Sequence, residues 1–223
     1  MKVLLIDTST KNFSIAIADQ GTIISSKIQE VPKKLNQTIV ESIDAELKSN
    51  NLSLNDIEVI VIGRGPGSFT SLRVGMATVK GLAFANKIPL IGVGSLHAIA
   101  LNVEGNCENL YVTVDAKRKL VYGALLSKVG NTLRLQTDYQ LLSIEEALTQ
   151  APAGTTFVGD GATLYKEAIE EAGHQIIDDQ TAYAPRAEHY LGLVKPRLEA
   201  KDYDDLDDLE PLYLYPEDCQ VRQ

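Results

Sequence analysis

The 223-residue chain has no tryptophan, two cysteines, two methionines and three histidines. No apolar stretch approaches the ~18 residues that a membrane-spanning helix needs. Cys107 and Cys219 stand apart, outside any CxxC pair, which argues against a disulfide scaffold and a cysteine zinc site. His97, His174 and His189 show none of the HxxH, HxxxH or HExxH spacings of metal sites, so no metal ligand is assigned. No GxSxG elbow presents a nucleophilic serine. The opening MKVLLIDTST meets Asp7 too early for a signal peptide, and the expectation is a cytoplasmic chain with no membrane partner. Positive charge is also scarce: 21 Lys and Arg face 30 Asp and Glu, a net charge of −9. That balance speaks against a general nucleic-acid binder acting alone, because phosphate contacts need clustered cations. Six of the acids lie within the nine residues Asp202–Glu210, which reads as a solvated surface segment or an acidic docking patch.

What is present is an ordinary globular composition, 44% hydrophobic and 23% charged, with length for one large domain or two small ones. Val3–Ile6, Phe13–Ile17 and Thr22–Ile28 read as three strands joined by tight turns. Leu35, Ile39, Ile43 and Leu47 recur at helical spacing. A buried strand at Ile57–Ile62, a helix over Phe69–Ala85, a strand at Leu90–Val93 and a short helix capped by Ser95 follow. The order then begins again: strands at Tyr111–Val114, Leu120–Leu126 and Leu133–Leu141, a helix at Ile144–Thr149, a strand at Thr155–Val158 and a helix at Ala162–Ala172. A last helix is expected from Pro185, kinked or cut short by Pro196. Two meanders, each followed by crossovers, predict an α/β chain of the actin-like ATPase (ribonuclease H-like) class with two duplicated subdomains. These are 1–103 and 104–223, the final helix and tail packing back on the first.

Asp7, Thr8 and Ser9, directly after the first strand, can hold a phosphate or hydrated magnesium, or can simply make a turn. Gly65, Gly67 and Ser68 lie in GRGPGSFTSLR between a strand and a helix N-terminus, where anions bind. The loop matches neither a P-loop nor a dinucleotide fingerprint, and Pro66 removes one amide. On the following helix, Ser71, Gly75, Thr78, Leu82 and Ala85 form a small-residue stripe beside the buried stripe of Leu72, Met76, Val79 and Ala83. Its partner is either this chain's own sheet or a helix of another subunit. Asp160, in Gly159-Asp160-Gly161, is a second-half candidate or a tight turn.

IDTST at 6–10 and GRGPGSFTSLRVGMATVKGLA at 63–83 resemble the bacterial TsaB family, formerly YeaZ. The likeness continues through IPLIGVGSLHAIA (88–100), YVTVDAKRKLVYGAL (111–125), FVGDGA (157–162), PRAEHYLGL (185–193) and PLYLY (211–215). The resemblance implies an actin-like fold without catalytic residues, a partner subunit in the threonylcarbamoyl modification of adenosine 37 of tRNA. Its implied partners are the catalytic transferase subunit TsaD and a small ATPase, TsaE, with tRNA reached only through the complex. It implies no intrinsic cofactor, with ATP or ADP and magnesium held at the assembled complex. The sister subunit's HxxxH metal motif has no counterpart in Lys33-Lys34-Leu35-Asn36-Gln37-Thr38. Pairing is expected through the helices at about 35–48 and 69–85, with Ile39, Ile43 and the small stripe as contacts; relatives also form homodimers through overlapping surfaces. Ser71 stands where many relatives have glycine. The alternative is an autonomous small-molecule kinase or ATPase working through Asp7–Ser9 and Gly159–Gly161. A metallopeptidase lacks its ligands.

Overall fold

The computed structural model describes residues 1–30 and 35–215, with no account of the side chains at 35–37. Lys33, Lys34 and Cys219 therefore lie outside the described residues. Two compact units divide the chain: Met1–Ala98 with Pro185–Pro211, and Ile99–Ala184 with the chain from Leu212 on.

In the first unit, β1 (Lys2–Asp7), β2 (Asn12–Asp19), β3 (Thr22–Glu30), β4 (Val59–Gly63) and β5 (Leu90–Val93) form one sheet in the order β3-β2-β1-β4-β5. The first three are antiparallel, whereas β4 and β5 run parallel to β1. The unbroken apolar run of β1 follows from cover on both faces. Leu4 and Ile6 share a core with Ile39, Ile43 and Leu47 of α1 (Leu35–Ser49) and Met76, Val79 and Ala83 of α2 (Phe69–Asn86). Val3 and Leu5 point the other way, onto Tyr190, Val194 and Leu198 of α7 (Tyr190–Ala200). The short α3 (Ser95–Leu101) follows β5.

α7 differs from expectation at both ends. Pro185 does not open it; a 3-10 turn at Ala187–His189 does, and the helix then continues through Pro196 to Ala200. Pro196 and Gly192, four residues earlier, are both exposed. Water can therefore take the carbonyl that the proline leaves unpaired, while Val194 and Leu198 hold the buried side.

The acidic segment straps the open edge of β5. Asp204 bridges to Leu90, and its Oδ2 accepts from Gly92 N at 2.6 Å. Arg197 donates to Asp202 and Asp204, each at 3.0 Å. Leu209 enters the core, and Lys80 Nζ reaches the Leu209 carbonyl at 3.1 Å.

The second unit repeats the plan. β6 (Cys107–Lys117), β7 (Leu120–Val129), β8 (Thr132–Leu135), β10 (Thr156–Val158) and β11 (Gln175–Ile177) are ordered β11-β10-β6-β7-β8, with β9 (Gln140–Leu142) also on β7. This is the same meander-plus-crossover order as in the first unit, the doubled actin-like α/β architecture. The single strand expected at Leu133–Leu141 is two, β8 and β9. Between them Thr137 Oγ1 accepts from Leu125 N at 3.0 Å, a side-chain bond that replaces the ladder. After α4 (Ile144–Gln150), the helix expected at Ala162–Ala172 breaks at Tyr165 into α5 (Asp160–Leu164) and α6 (Lys166–Glu171). Asp178 holds both sides of the break, through Thr163 Oγ1 at 3.0 Å and Lys166 Nζ at 3.1 Å. The β6–β7 hairpin turns through Lys117, Arg118 and Lys119, at φ of +66°, +54° and +63°. Left-handed backbone costs an L-residue about 1–2 kcal/mol.

Candidate functional site

In open α/β sheets, ligands bind beyond the carboxyl ends of the parallel strands. At that end of β1 the chain leaves through Asp7, Thr8 and Ser9, all buried. Asp7 is 0% exposed and carries four hydrogen bonds. Its Oδ1 accepts from Ser9 N and Ser9 Oγ, both at 2.7 Å. Its Oδ2 accepts from Ser95 Oγ at 2.7 Å and from Tyr190 Oη. A carboxylate offers about four lone-pair positions, so the chain's own donors occupy them all. Burial pushes the Asp7 carboxyl up from its ordinary value, while Tyr190, Ser95 and Ser9 pull against that rise.

The glycine-rich loop after β4 lies directly on this knot. A Cβ at Gly63 would fall 1.8 Å from Asp7 Oδ2, and one at Gly67 would fall 2.0 Å from the Ser9 carbonyl. Gly65, at φ +91°, donates its amide to Ser95 Oγ at 3.0 Å, and Ser68 donates its own to Ser9 O at 2.7 Å. Ser68 stands at the N-cap of α2 without capping it; its Oγ meets Ser71 Oγ at 3.1 Å. The structure thus brings Asp7, Thr8 and Ser9 together with Gly65, Gly67 and Ser68, two separate candidates in the sequence. Gly67 admits the Ser9 backbone, Gly63 makes room for the Asp7 carboxylate and Gly65 lies against Leu72, while the amides of Gly65 and Ser68 already have partners. With Ser95 and Tyr190 these residues form a polar knot that joins β1, α2, α3 and α7.

Sequence reasoning missed two members of that knot. Ser95 was expected to cap its helix, yet its hydroxyl turns to Asp7. Tyr190, on the last helix, drew no assignment of its own. The available signal was its phenol, because a fully buried tyrosine hydroxyl requires a partner.

The expected contact residues fall on different sides of α1 and α2. Ile39 and Ile43 are buried in the first unit's core, at 1% and 3% exposure, so they belong to no outward face. Gly75 is buried as well: a Cβ there would come within 2.2 Å of Thr8 Oγ1, so its partner is this chain's own loop. Ser71 and Thr78 are half-buried, and Leu82 leans on the core. Ala85, the last of the expected stripe, is exposed, and with it the open face of the helix takes in Ala77, Gly81 and Phe84; Phe84 is 77% exposed, and nothing lies within 4 Å of a Cβ at Gly81. Val40 of α1 is also exposed.

The second-unit candidate opens a helix: Gly159 is the N-cap of α5 and Asp160 its first residue. Gly159, at φ +112°, could not take a Cβ, which would fall 2.1 Å from Thr113 O. Asp160 Oδ1 accepts from Asp115 N at 2.9 Å. Burial raises the Asp160 carboxyl, the Asp115 amide lowers it and the Asp115 charge raises it further. Among the described residues, no three His, Cys, Asp or Glu side chains cluster to hold a metal, and no helix is long and apolar enough to cross a membrane.

Residues 22–214 match the model of the family described as TsaD, tRNA N6-adenosine threonylcarbamoyltransferase. The chain is 27% identical over 220 residues to the Escherichia coli K12 tRNA threonylcarbamoyladenosine biosynthesis protein TsaB, covering 96% of this chain and 94% of that one. It is 29% identical over 230 residues to the Haemophilus influenzae protein of the same name, covering 96% and 93%. YeaZ from Pseudomonas aeruginosa superposes with a TM-score of 0.81 at 25% identity, covering 96% of this chain and 99% of that structure.

Proposed function

We propose that the chain, which belongs to the family described as TsaD, tRNA N6-adenosine threonylcarbamoyltransferase, is a non-catalytic subunit in the making of threonylcarbamoyladenosine on tRNA. It docks a catalytic transferase subunit, in the cytoplasm, with the small ATPase joining the assembly. The relatives named TsaB, alike over nearly their whole length, support the pathway. The observation that carries the non-catalytic part is Asp7, whose acceptor positions are filled by Ser9, Ser95 and Tyr190. A catalytic or magnesium-binding aspartate needs an open lone pair toward its ligand.

Docking falls to the outward face of α2, where Gly81 and Ala85 allow a helix to approach and Phe84 supplies an apolar anchor. Gly81→Arg and Phe84→Asp are expected to abolish co-elution with the transferase subunit in size-exclusion chromatography while each variant stays folded. Co-elution at the wild-type level by both would remove this face. Nucleotide belongs to the assembly: calorimetry of the isolated chain with magnesium-ATP at millimolar concentration is expected to show no binding. Tight binding lost in Asp7→Ala would instead favour an autonomous ATPase.

A further inference from the structure

At the tip of the β6–β7 hairpin the residue types and the backbone conformation disagree. Lys117, Arg118 and Lys119 are exposed, lie at positive φ, and form the chain's only run of three consecutive basic residues. Arg118 and Lys119 are the two central residues of a two-residue hairpin loop, with Lys117 paired to Leu120. Such loops favour Asn-Gly, which takes positive φ at little cost. The surroundings hold the turn in place. Lys117 N donates to Asp115 Oδ1 at 2.8 Å and its ammonium pairs with the same carboxylate. Tyr215 Oη donates to Ala116 O at 2.7 Å, and Asp115 N is fixed on Asp160. A strained conformation kept by its neighbours points to a role for the side chains it displays. What Lys-Arg-Lys offers over Asn-Gly is positive charge, concentrated on a chain of net charge −9.

Resting on the function proposed above, we propose that Lys117, Arg118 and Lys119 contact the phosphodiester backbone of tRNA in the assembled complex. Arginine pairs with phosphate in a two-pronged fashion and lysine as a point charge. A protein partner would instead call for an aromatic or aliphatic anchor, and none of these three residues supplies one.

The test is fluorescence anisotropy of labelled, unmodified tRNA with the complex of full-length chain and transferase subunit, across a potassium chloride series. Arg118→Asn with Lys119→Gly installs the favoured turn and removes two charges. The melting temperature is expected to hold or rise, while the apparent Kd rises roughly tenfold and the salt slope shrinks by about 1.5. Lys195→Gln with Lys201→Asn removes the same charge elsewhere and should leave both unchanged. Wild-type affinity and slope in the tip variant would overturn the inference, as would equal losses in both variants or no tRNA binding by the wild-type complex. Retained tRNA affinity with lost co-elution would make the tip a protein contact. Product formation by the wild-type complex is monitored separately, so failure of the functional reading registers as absent product and failure of the tip as unchanged binding.

Discussion

Asp7 is best understood through the residues that face it. Tyr190 Oη is fully buried and donates to the carboxylate, a bond to a charged acceptor worth about 1.5–3 kcal/mol. Tyr190→Phe should lower the urea midpoint by the equivalent of that amount at unchanged slope; an unmoved midpoint would mean that the knot is not structural. The two glycines inside α2 make a second test. Gly75→Ala places a methyl against Thr8 Oγ1 and should destabilise, whereas Gly81→Ala has open space and should stabilise by about 0.5–1 kcal/mol. Equal effects in thermal melts would contradict the assignment of one glycine to the chain's own loop and the other to the outward face. In sequence the two glycines look alike, both being small residues in one helix. Only the position of Thr8 separates them, and nothing local encodes it. Asp7–Ser9 and the glycine loop were each legible as polar turns, but not their meeting, and Ser95 and Tyr190 come from 88 and 183 residues away.

Whole elements were read with more success where burial imposed a strict pattern. β1, β4 and β5 are short apolar runs, and α1 and α2 carry clear helical stripes, so each emerged close to its true position. β11 escaped because Gln-Ile-Ile is too short to show alternation. The interruption between β8 and β9 escaped because a threonine side chain, not a glycine or proline, breaks the ladder. Across the break between α5 and α6, Asp178 offers a test by pH. Tyr183 Oη, Lys166 and Thr163 hold its carboxyl at about 2, below the ordinary 3.8. A lowered carboxyl contributes stability that is present above 3.8 and lost as the pH falls toward 2. Asp178→Asn should therefore flatten the acid limb of the stability curve between those values and leave neutral pH less affected by further titration. An acid limb as steep as wild type would contradict this role for the cluster.

At the scale of the molecule, the duplicated order of elements, β-meander then crossovers, was the feature most visible in the sequence. It survives in both sheets as the same strand order. The acidic run was visible too, but its use was not: Asp204 and Leu209 fix it over the edge of β5, while Asp202, Asp205, Asp207 and Asp208 stay exposed. A strap needs only a few inward residues, and charge counting weights the outward ones. On the function we propose, an actin-like chain whose strand-end aspartate is closed by its own side chains serves tRNA modification through a catalytic partner. The most direct measurement is a reconstituted modification assay with the transferase subunit, the small ATPase, threonylcarbamoyl-adenylate and unmodified tRNA, with and without this chain. Threonylcarbamoyladenosine is expected only when the chain is present, with undiminished product when the chain carries a change at Asp7 that leaves it folded. Equal product without the chain would contradict it.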